Sequence, residues 1–242
     1  MKNTIAVTPG HTLLFWRHGG TPVIAPLHEL SNGEARGGIP LCVPQFSVQQ
    51  RAVTGCKLPL HGLLMYSDHG TTTHNAQTDT ITIVSNFKAT ATFAWQHTVT
   101  THIKETADSL SYDITIKRSA DCTNPEQMPL SLGFHPYFAT HDKDFSFSIG
   151  DQDWTKDTLP QNIVDSAFHP NPTGTVVTLQ TSAHTITMTN TGFDEYCLWT
   201  DDASTYICIE PIWQYQEFGL PGTGLQLGEE KVVTIRLQAT PK

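Results

Sequence analysis

The sequence contains little charge, and basic residues are the scarcer kind. Lysine and arginine number 14 against 23 aspartates and glutamates in 242 residues; charged residues make up 15% of the chain, and the formal net charge is -9. A surface with this balance repels a phosphate backbone, so we expect no nucleic-acid partner. The chain also lacks the roughly 20 consecutive apolar residues that a membrane-spanning helix needs, so we expect no membrane partner.

Paired cysteines and targeting signals are missing as well. The cysteines are odd in number, widely spaced and never in a CxxC pair; they are Cys42, Cys56, Cys122, Cys197 and Cys208. This pattern predicts reduced thiols that pack as small core hydrophobes. The first residues, "MKNTIAVTPGHTLLFWRHGG", include neither an apolar run of signal-peptide length nor a small-residue cleavage site, so we expect a cytoplasmic protein.

No segment has a convincing helical pattern, a GxGxxG motif or a P-loop, which counts against nucleotide cofactors. The chain instead has many segments rich in Thr, Val, Ile and aromatic residues, and several alternate with a period of two. They include "TITIVSN", "ATATFAWQHTVTTHIK", "LSYDITIKR", "TVVTLQ", "HTITMTN", "TYICIE" and "KVVTIRLQAT". Turn-forming clusters separate them, and no long linker divides the chain. We predict one all-β antiparallel domain over residues 1–242, a sandwich or barrel of roughly a dozen or more strands.

Two ionisable residues are expected at strand ends, each followed by a proline. In "LSLGFHP", an extended chain places His135 on the same face as Ser131 and Gly133, and these small residues leave room for a ligand. In "TYICIEPIW", it places Glu210 on the face opposite to Ile209. Because proline cannot donate a ladder hydrogen bond, we expect both strands to stop or bend there.

Two further segments join a titratable residue to glycine. His61 precedes Gly62 in "LPLHGLL", and Arg36 precedes two glycines in "GEARGGIP", where the backbone can approach a ligand closely. A glutamate and a histidine on opposite sides of a small substrate suit paired general acid and base catalysis. Burial would raise the pKa of the carboxyl group toward neutrality. No serine or cysteine lies in a nucleophile motif, so the sequence offers no candidate for covalent catalysis.

Twelve histidines raise the question of a metal. A cupin-like barrel would place two histidines on one face of a strand. Here His97 and His102 are five residues apart and so point to opposite faces, while His69 and His74 lie in a Gly/Thr-rich loop. We therefore expect no metal; a metal-dependent cupin-like enzyme is an alternative that a stoichiometric bound metal would reveal.

Five segments in order resemble the aldose 1-epimerase (mutarotase) family, particularly its shorter branch that includes the hexose-6-phosphate 1-epimerases. They are "ARGGIPLCVPQF", "LPLHGLL", "LGFHPYF", "CIEP" and "LQLGEEKVVTIRL", which span residues 35–237. The resemblance implies a galactose-mutarotase-like β-supersandwich with an open sugar cleft on a concave face. It also implies a sugar substrate, no cofactor, and a monomer or weak dimer.

The resemblance further implies roles for individual residues. Glu210 would act as the base and His135 as the acid in opening and closing the sugar ring. The residues implied to bind substrate are Arg36, His61, Gln45, Asp194 and Trp213. Aromatic side chains near the motifs could stack on a pyranose face or pack in the core; they are Phe46, Tyr137 and Trp213.

One position departs from the phosphosugar branch. That branch usually continues "HGFAR", with an arginine that helps bind phosphate, whereas this chain reads "HGLLM" with Met65 there. The change removes a charge-assisted contact, although Arg36 with Arg51 or Lys57 is an alternative phosphate site. We expect the chain to interconvert the α and β anomers of an aldohexose or a hexose 6-phosphate. The alternative is a non-catalytic carbohydrate-binding or sugar-sensing protein on the same scaffold.

Overall fold

A computed structural model describes residues 6–49, 51–141, 144–160, 163, 167–172 and 174–242. Strands form most of the regular structure in these residues, with two short 3-10 turns at Leu64–Tyr66 and Lys156–Thr158. The strands are β1 (Trp16–His18), β2 (Thr21–Ile24), β3 (His28–Glu29), β4 (Ala35–Arg36), β5 (Leu41–Cys42), β6 (Thr71–Asn75), β7 (Thr80–Phe87), β8 (His97–Glu105), β9 (Ser109–Arg118), β10 (Leu132–Phe134), β11 (Tyr137–Ala139), β12 (Ser146–Ile149), β13 (Gln152–Thr155), β14 (Ala167–Pro170), β15 (Val176–Gln180), β16 (His184–Thr191), β17 (Glu195–Trp199), β18 (Tyr206–Trp213) and β19 (Glu230–Pro241).

The alternating segments form strands, as the sequence predicted. In β9, Leu110, Tyr112, Ile114 and Ile116 are fully buried, and the residues between them are less so. This alternation follows from the pleat of a strand, which points successive side chains to opposite faces. The fold is therefore all-β and antiparallel, and the predicted class is confirmed.

The predicted strand "ATATFAWQHTVTTHIK" begins later than expected. Only its second half lies in β8, and a turn precedes it, in which the Thr90 amide donates to the Phe93 carbonyl at 2.9 Å. The Thr90 hydroxyl oxygen accepts from the Phe93 amide at 3.1 Å. Threonine favours strands, but its hydroxyl can also satisfy the backbone locally, and here the local bond prevails. His74 likewise lies in β6 and not in a loop, a second correction.

Two large sheets pack face to face. The first has eight strands with the main order β1-β2-β11-β18-β10-β5, and β14 and β17 extend it beside β18; the second has nine, in the order β13-β12-β15-β16-β19-β9-β8-β7-β6. The apolar core fills the space between them, where the rings of Tyr112 on β9 and Phe134 on β10 meet edge to face at 5.0 Å. No helix in the described ranges has the length and apolar character required to cross a bilayer.

Strand β18 lies inside the first sheet and has three neighbours. β10 and β11 pair end to end along one edge, while β17 pairs along the other. Between β10 and β11 the ladder is interrupted at His135 and Pro136, as the proline predicted. Of the two outcomes expected at Pro211, a stop or a bend, the stop is wrong, because β18 continues to Trp213. In the described register no residue of β10 or β11 pairs with Pro211, so its missing N–H disrupts no bond on that edge.

Candidate active site

His135 and Glu210 lie directly across from each other in the first sheet. β10 and β11 pair with β18 in the same register, so the interruption at His135 and Pro136 does not shift the pairing. His135 Nδ1 is 3.4 Å from Glu210 Oε2, and the residues are 5% and 1% exposed. Neither atom has a hydrogen-bond partner of acceptable geometry among the described residues. Two segments 75 positions apart thus bring a buried base and a buried acid into contact.

Burial controls the charge of this pair. It holds the pKa of His135 well below its usual range, helped by the nearby His61 and Arg36, and it holds the pKa of Glu210 well above the usual value. A hydrogen bond from the Cys197 thiol to Glu210 acts in the opposite direction on the carboxyl group. The low-dielectric environment therefore favours neutral imidazole and neutral carboxylic acid. In that form the pair still holds one proton that it can exchange.

His61 lies beside His135, with their ring centroids 5.4 Å apart. Its backbone is in the left-handed region, with φ of 62°, and its amide donates to the Ser47 carbonyl at 3.0 Å. Burial and the nearby Arg36 charge lower the pKa of His61 to about 4, so the ring is neutral at pH 7. Its Nδ1 atom is buried without a hydrogen-bond partner among the described residues. His61 therefore offers a neutral polar group to a ligand in the cleft.

Arg36 ends β4 and reaches the same cleft, where two acidic side chains hold its guanidinium. Its Nε donates to Asp201 at 3.0 Å and its Nη2 to Glu34 at 2.9 Å, while Nη1 bonds the Ala35 carbonyl. The guanidinium also lies 5.2 Å from the centre of the Trp199 ring. Each nitrogen of Arg36 thus has a protein acceptor, and its charge is largely compensated.

The cleft has a volume of about 580 Å³, within the usual range for small-molecule sites. The described residues that line it are Thr8, Thr12, Leu27, Gly33, Glu34, Ala35, Arg36, Gly37, Pro40, Phe46, Ser47, Leu60, His61, Met65, Tyr66, His135, Tyr137, Trp199 and Glu210. Tyr137 stacks on His135 with ring centroids 4.7 Å apart and planes within 4°. The lining therefore combines aromatic surface with a few converging polar groups, as sugar sites require.

The face beside His135 is not left open for a ligand, which corrects the sequence interpretation. A Cβ atom at Gly133 would lie 2.2 Å from Cδ2 of Phe46, so the Phe46 ring occupies the space above this glycine. The Phe46 amide donates to the Ser131 hydroxyl at 3.2 Å, which fixes the ring there. The small residues make room for a protein side chain, and Phe46 itself then forms part of the cleft wall.

Three of the predicted substrate-binding residues do not line the cleft among the described residues. Trp213 is three positions after Glu210, so strand alternation turns it to the other face, where the Lys231 ammonium lies 4.1 Å from its ring. Asp194 accepts the Gln214 amide at 3.2 Å. Gln45 donates to the carbonyls of Ser47 and Pro59, at 2.9 and 3.3 Å, and so supports the loop that carries His61.

Sequence reasoning missed Trp199, Tyr66 and Asp201. Trp199 lies across from Cys208 in the pairing of β17 with β18, on the same face as Glu210, and its ring contacts those of His135 and Tyr137. The alternation of "EYCLW" could have identified it once the strand pairing was known. Asp201 carried no such signal, because its position depends on a loop that brings it to Arg36.

The fold and this cleft together define a class: β-sandwich proteins with an acid/base pair on the floor of a small-molecule cleft. The sequence profile described as "Aldose 1-epimerase" matches residues 25–146 of this chain, half of its length. The chain belongs to the aldose 1-epimerase family. A comparison with curated protein sequences found no significant match.

Solved structures show the same fold at low sequence identity. A galactose mutarotase-like protein from Lactobacillus casei superposes with a TM-score of 0.76 at 16% identity, covering 99% of both chains. A Synechocystis protein gives 0.75 at 16% identity, covering 98% of this chain and 91% of its own. A galactose mutarotase related enzyme from Lactobacillus acidophilus gives 0.72 at 12% identity, covering 98% and 94%. At these identities the likeness concerns the fold.

Proposed function

We propose that this protein is an aldose 1-epimerase that interconverts the α and β anomers of an unphosphorylated aldohexose. The observation that carries the proposal is the contact of His135 Nδ1 with Glu210 Oε2, 3.4 Å apart on the floor of the cleft. Membership of the aldose 1-epimerase family supports the reaction class.

The reaction requires two proton transfers. Glu210 takes the proton of the anomeric hydroxyl while His135 donates a proton to the ring oxygen, and the bond between the anomeric carbon and the ring oxygen breaks. Rotation about the adjacent carbon–carbon bond exposes the other face of the carbonyl, and the reverse transfers close the ring. Neutral His135 with protonated Glu210 carries the same single proton as the ion pair. Moving that proton between the two side chains therefore prepares the catalytic form.

The surroundings of the pair suit a neutral sugar. His61 is a neutral hydrogen-bonding group, and Trp199, Phe46 and Tyr137 offer aromatic surface. Arg36 is the one lysine or arginine among the described lining residues, and two carboxylates already engage it. Arg51 and Lys57 do not line the described cleft, and Arg51 donates to the Gln216 carbonyl at 2.5 Å. A phosphate group would thus meet a compensated cation, and Met65 offers it no charge.

The test is to follow the interconversion of pure anomers of glucose and galactose by polarimetry or NMR. Glu210→Gln and His135→Asn should each lower the rate by about 10²–10⁴-fold, because each removes one proton-transfer group. Matched controls are Glu195→Gln on the neighbouring strand β17 and His102→Asn on β8 of the second sheet; both should keep the wild-type rate. Full activity in either cleft variant would refute its assigned role. A wild-type rate equal to buffer, with sugar still bound, would identify a sugar-binding protein instead.

A further inference from the structure

Three cysteines that epimerisation does not use lie close to Glu210, although none of them is among the described residues that line the cleft. Cys197 lies across from Glu210 in the pairing of β17 with β18, and Cys208 is two positions before Glu210 on the same face of β18. Burial raises the pKa of the Cys42 thiol on β5, and the nearby Glu210 carboxyl group adds to this effect. All three are buried thiols outside any disulfide. Glu210 therefore has several thiols as near neighbours.

His135, Cys208 and Glu210 each present one potential metal-ligand atom, and these atoms lie within 4.8 Å of one another. The separation of 3.4 Å between His135 Nδ1 and Glu210 Oε2 is longer than a good N–H···O hydrogen bond. Two ligands bound about 2.0–2.1 Å from a tetrahedral zinc ion are about 3.3 Å apart, which is close to the distance observed. A movement of roughly 1 Å by the Cys208 thiol would complete a zinc-sized triangle.

The donor set selects a class of cation. Imidazole nitrogen, thiolate sulfur and carboxylate oxygen together suit zinc and its neighbours, whereas calcium and magnesium prefer oxygen ligands alone. The buried Nδ1 and Oε2 atoms have no hydrogen-bond partner in the described residues, so a cation would satisfy both. His135 and Glu210 line the cleft, so the fourth ligand position can open toward water or a sugar hydroxyl.

We propose that His135, Cys208 and Glu210 form a binding site for one zinc ion, and that occupancy of this site inhibits the enzyme. The inhibition rests on the proposed function, because zinc would occupy the two groups that transfer protons.

Cobalt(II) is the spectroscopic probe for the binding step. Titration of the full-length wild-type protein should give one equivalent of bound cobalt, with a thiolate charge-transfer band in the near ultraviolet and visible bands typical of tetrahedral coordination. Zinc should bleach both. Cys208→Ser should lose the near-ultraviolet band and bind at least roughly tenfold more weakly, since even outer-shell changes weaken metal sites by about that factor. Cys56→Ser, which removes a buried thiol that is not one of the proposed ligands, is the matched control and should keep the band.

Circular dichroism and urea unfolding establish that the serine variants are folded; Cys208→Ala provides a second variant if Cys208→Ser is not. Absence of cobalt binding, or an unchanged band in a folded Cys208 variant, would overturn the proposed site. The measurement does not depend on turnover, so a protein that binds cobalt but does not epimerise sugars would retain the site and lose the proposed function.

The kinetic arm tests inhibition. Zinc should stop turnover of the wild-type enzyme, and a chelator should restore it. In Cys208→Ser, half-inhibition should need at least about tenfold more zinc than in wild type, with each rate measured relative to that of the same variant without metal. Equal zinc sensitivity of the Cys208→Ser and wild-type enzymes would overturn inhibition through this site, whatever the reaction rate.

Discussion

At the scale of single residues, burial determines which charges the cleft contains. His61 and His135 are neutral because desolvation disfavours their protonated forms, and Glu210 keeps a proton for the same reason. Arg36 keeps its charge because Asp201 and Glu34 compensate it. A substrate in the cleft therefore meets neutral hydrogen-bonding groups and a weak net electrostatic field.

These neutral and compensated side chains predict that the enzyme prefers unphosphorylated sugars to sugar phosphates. Wild-type enzyme should have a higher kcat/KM for glucose than for glucose 6-phosphate. Glu34→Gln removes a carboxylate 2.9 Å from the Arg36 guanidinium, and kcat/KM for the phosphorylated sugar should rise by about fivefold relative to glucose. The size follows from the value of an exposed ion pair, at most about 1 kcal/mol. Glu29→Gln on the facing strand β3 is the charge-matched control, and an equal effect of both changes would contradict a local role for Glu34.

At the scale of elements, the interrupted ladder of β10 and β11 brings His135 into contact with Glu210. His135 and Pro136 leave the ladder without changing register, so the side chain of His135 remains opposite Glu210. Phe46 packs over Gly133, two residues before His135. Only glycine fits at position 133 without displacing Phe46, because the Phe46 ring occupies the space that a Cβ atom would need.

Gly133→Ala tests this packing. Its methyl group would lie 2.2 Å from Phe46 Cδ2, so the ring must move, and we expect a loss of about 1–3 kcal/mol in the free energy of unfolding. Urea denaturation measures the loss. The double variant Gly133→Ala/Phe46→Leu should recover part of it, because the smaller side chain releases the overlap. Additive losses in the double variant would show that Phe46 is not the residue that clashes.

At the scale of the whole molecule, buried neutral histidines couple stability to pH. Burial lowers the pKa of each of three rings from 6.5 to about 4, namely those of His11, His61 and His97. An unfolded chain protonates these rings as the pH falls below 6.5, while the folded protein does not until about pH 4. The stability they contribute is therefore complete above pH 6.5 and is lost between pH 6.5 and 4.

Urea unfolding at pH 7.5 and pH 5 should show this loss, about 2 kcal/mol for each buried ring. His11→Asn should remove roughly a third of it; asparagine tolerates the left-handed backbone at this position, where φ is 62°. Equal stability of the wild-type protein at both pH values would contradict neutral burial of the rings.

Local pattern explains the parts of the fold that were predicted correctly. Alternation placed Leu110 and Ile114 in the core and put Glu210 opposite to Ile209, because the pleat imposes this on any strand. The same rule excludes Trp213 from the cleft. The error over the segment before β8 arose where threonine hydroxyls satisfy a turn, an interaction that competes with strand formation and that composition does not reveal.

The sequence by itself determined the antiparallel β class, the strands whose alternation is complete, and the two ionisable residues that precede prolines. These features depend on neighbours within a few positions, and a chain carries that information locally. Only the tertiary structure decided that Phe46 fills the space over Gly133, that Asp201 and Glu34 compensate Arg36, and that Cys208 lies beside the acid/base pair. Those contacts join segments far apart in the chain, and their distances depend on strand register and loop packing, which no local pattern encodes.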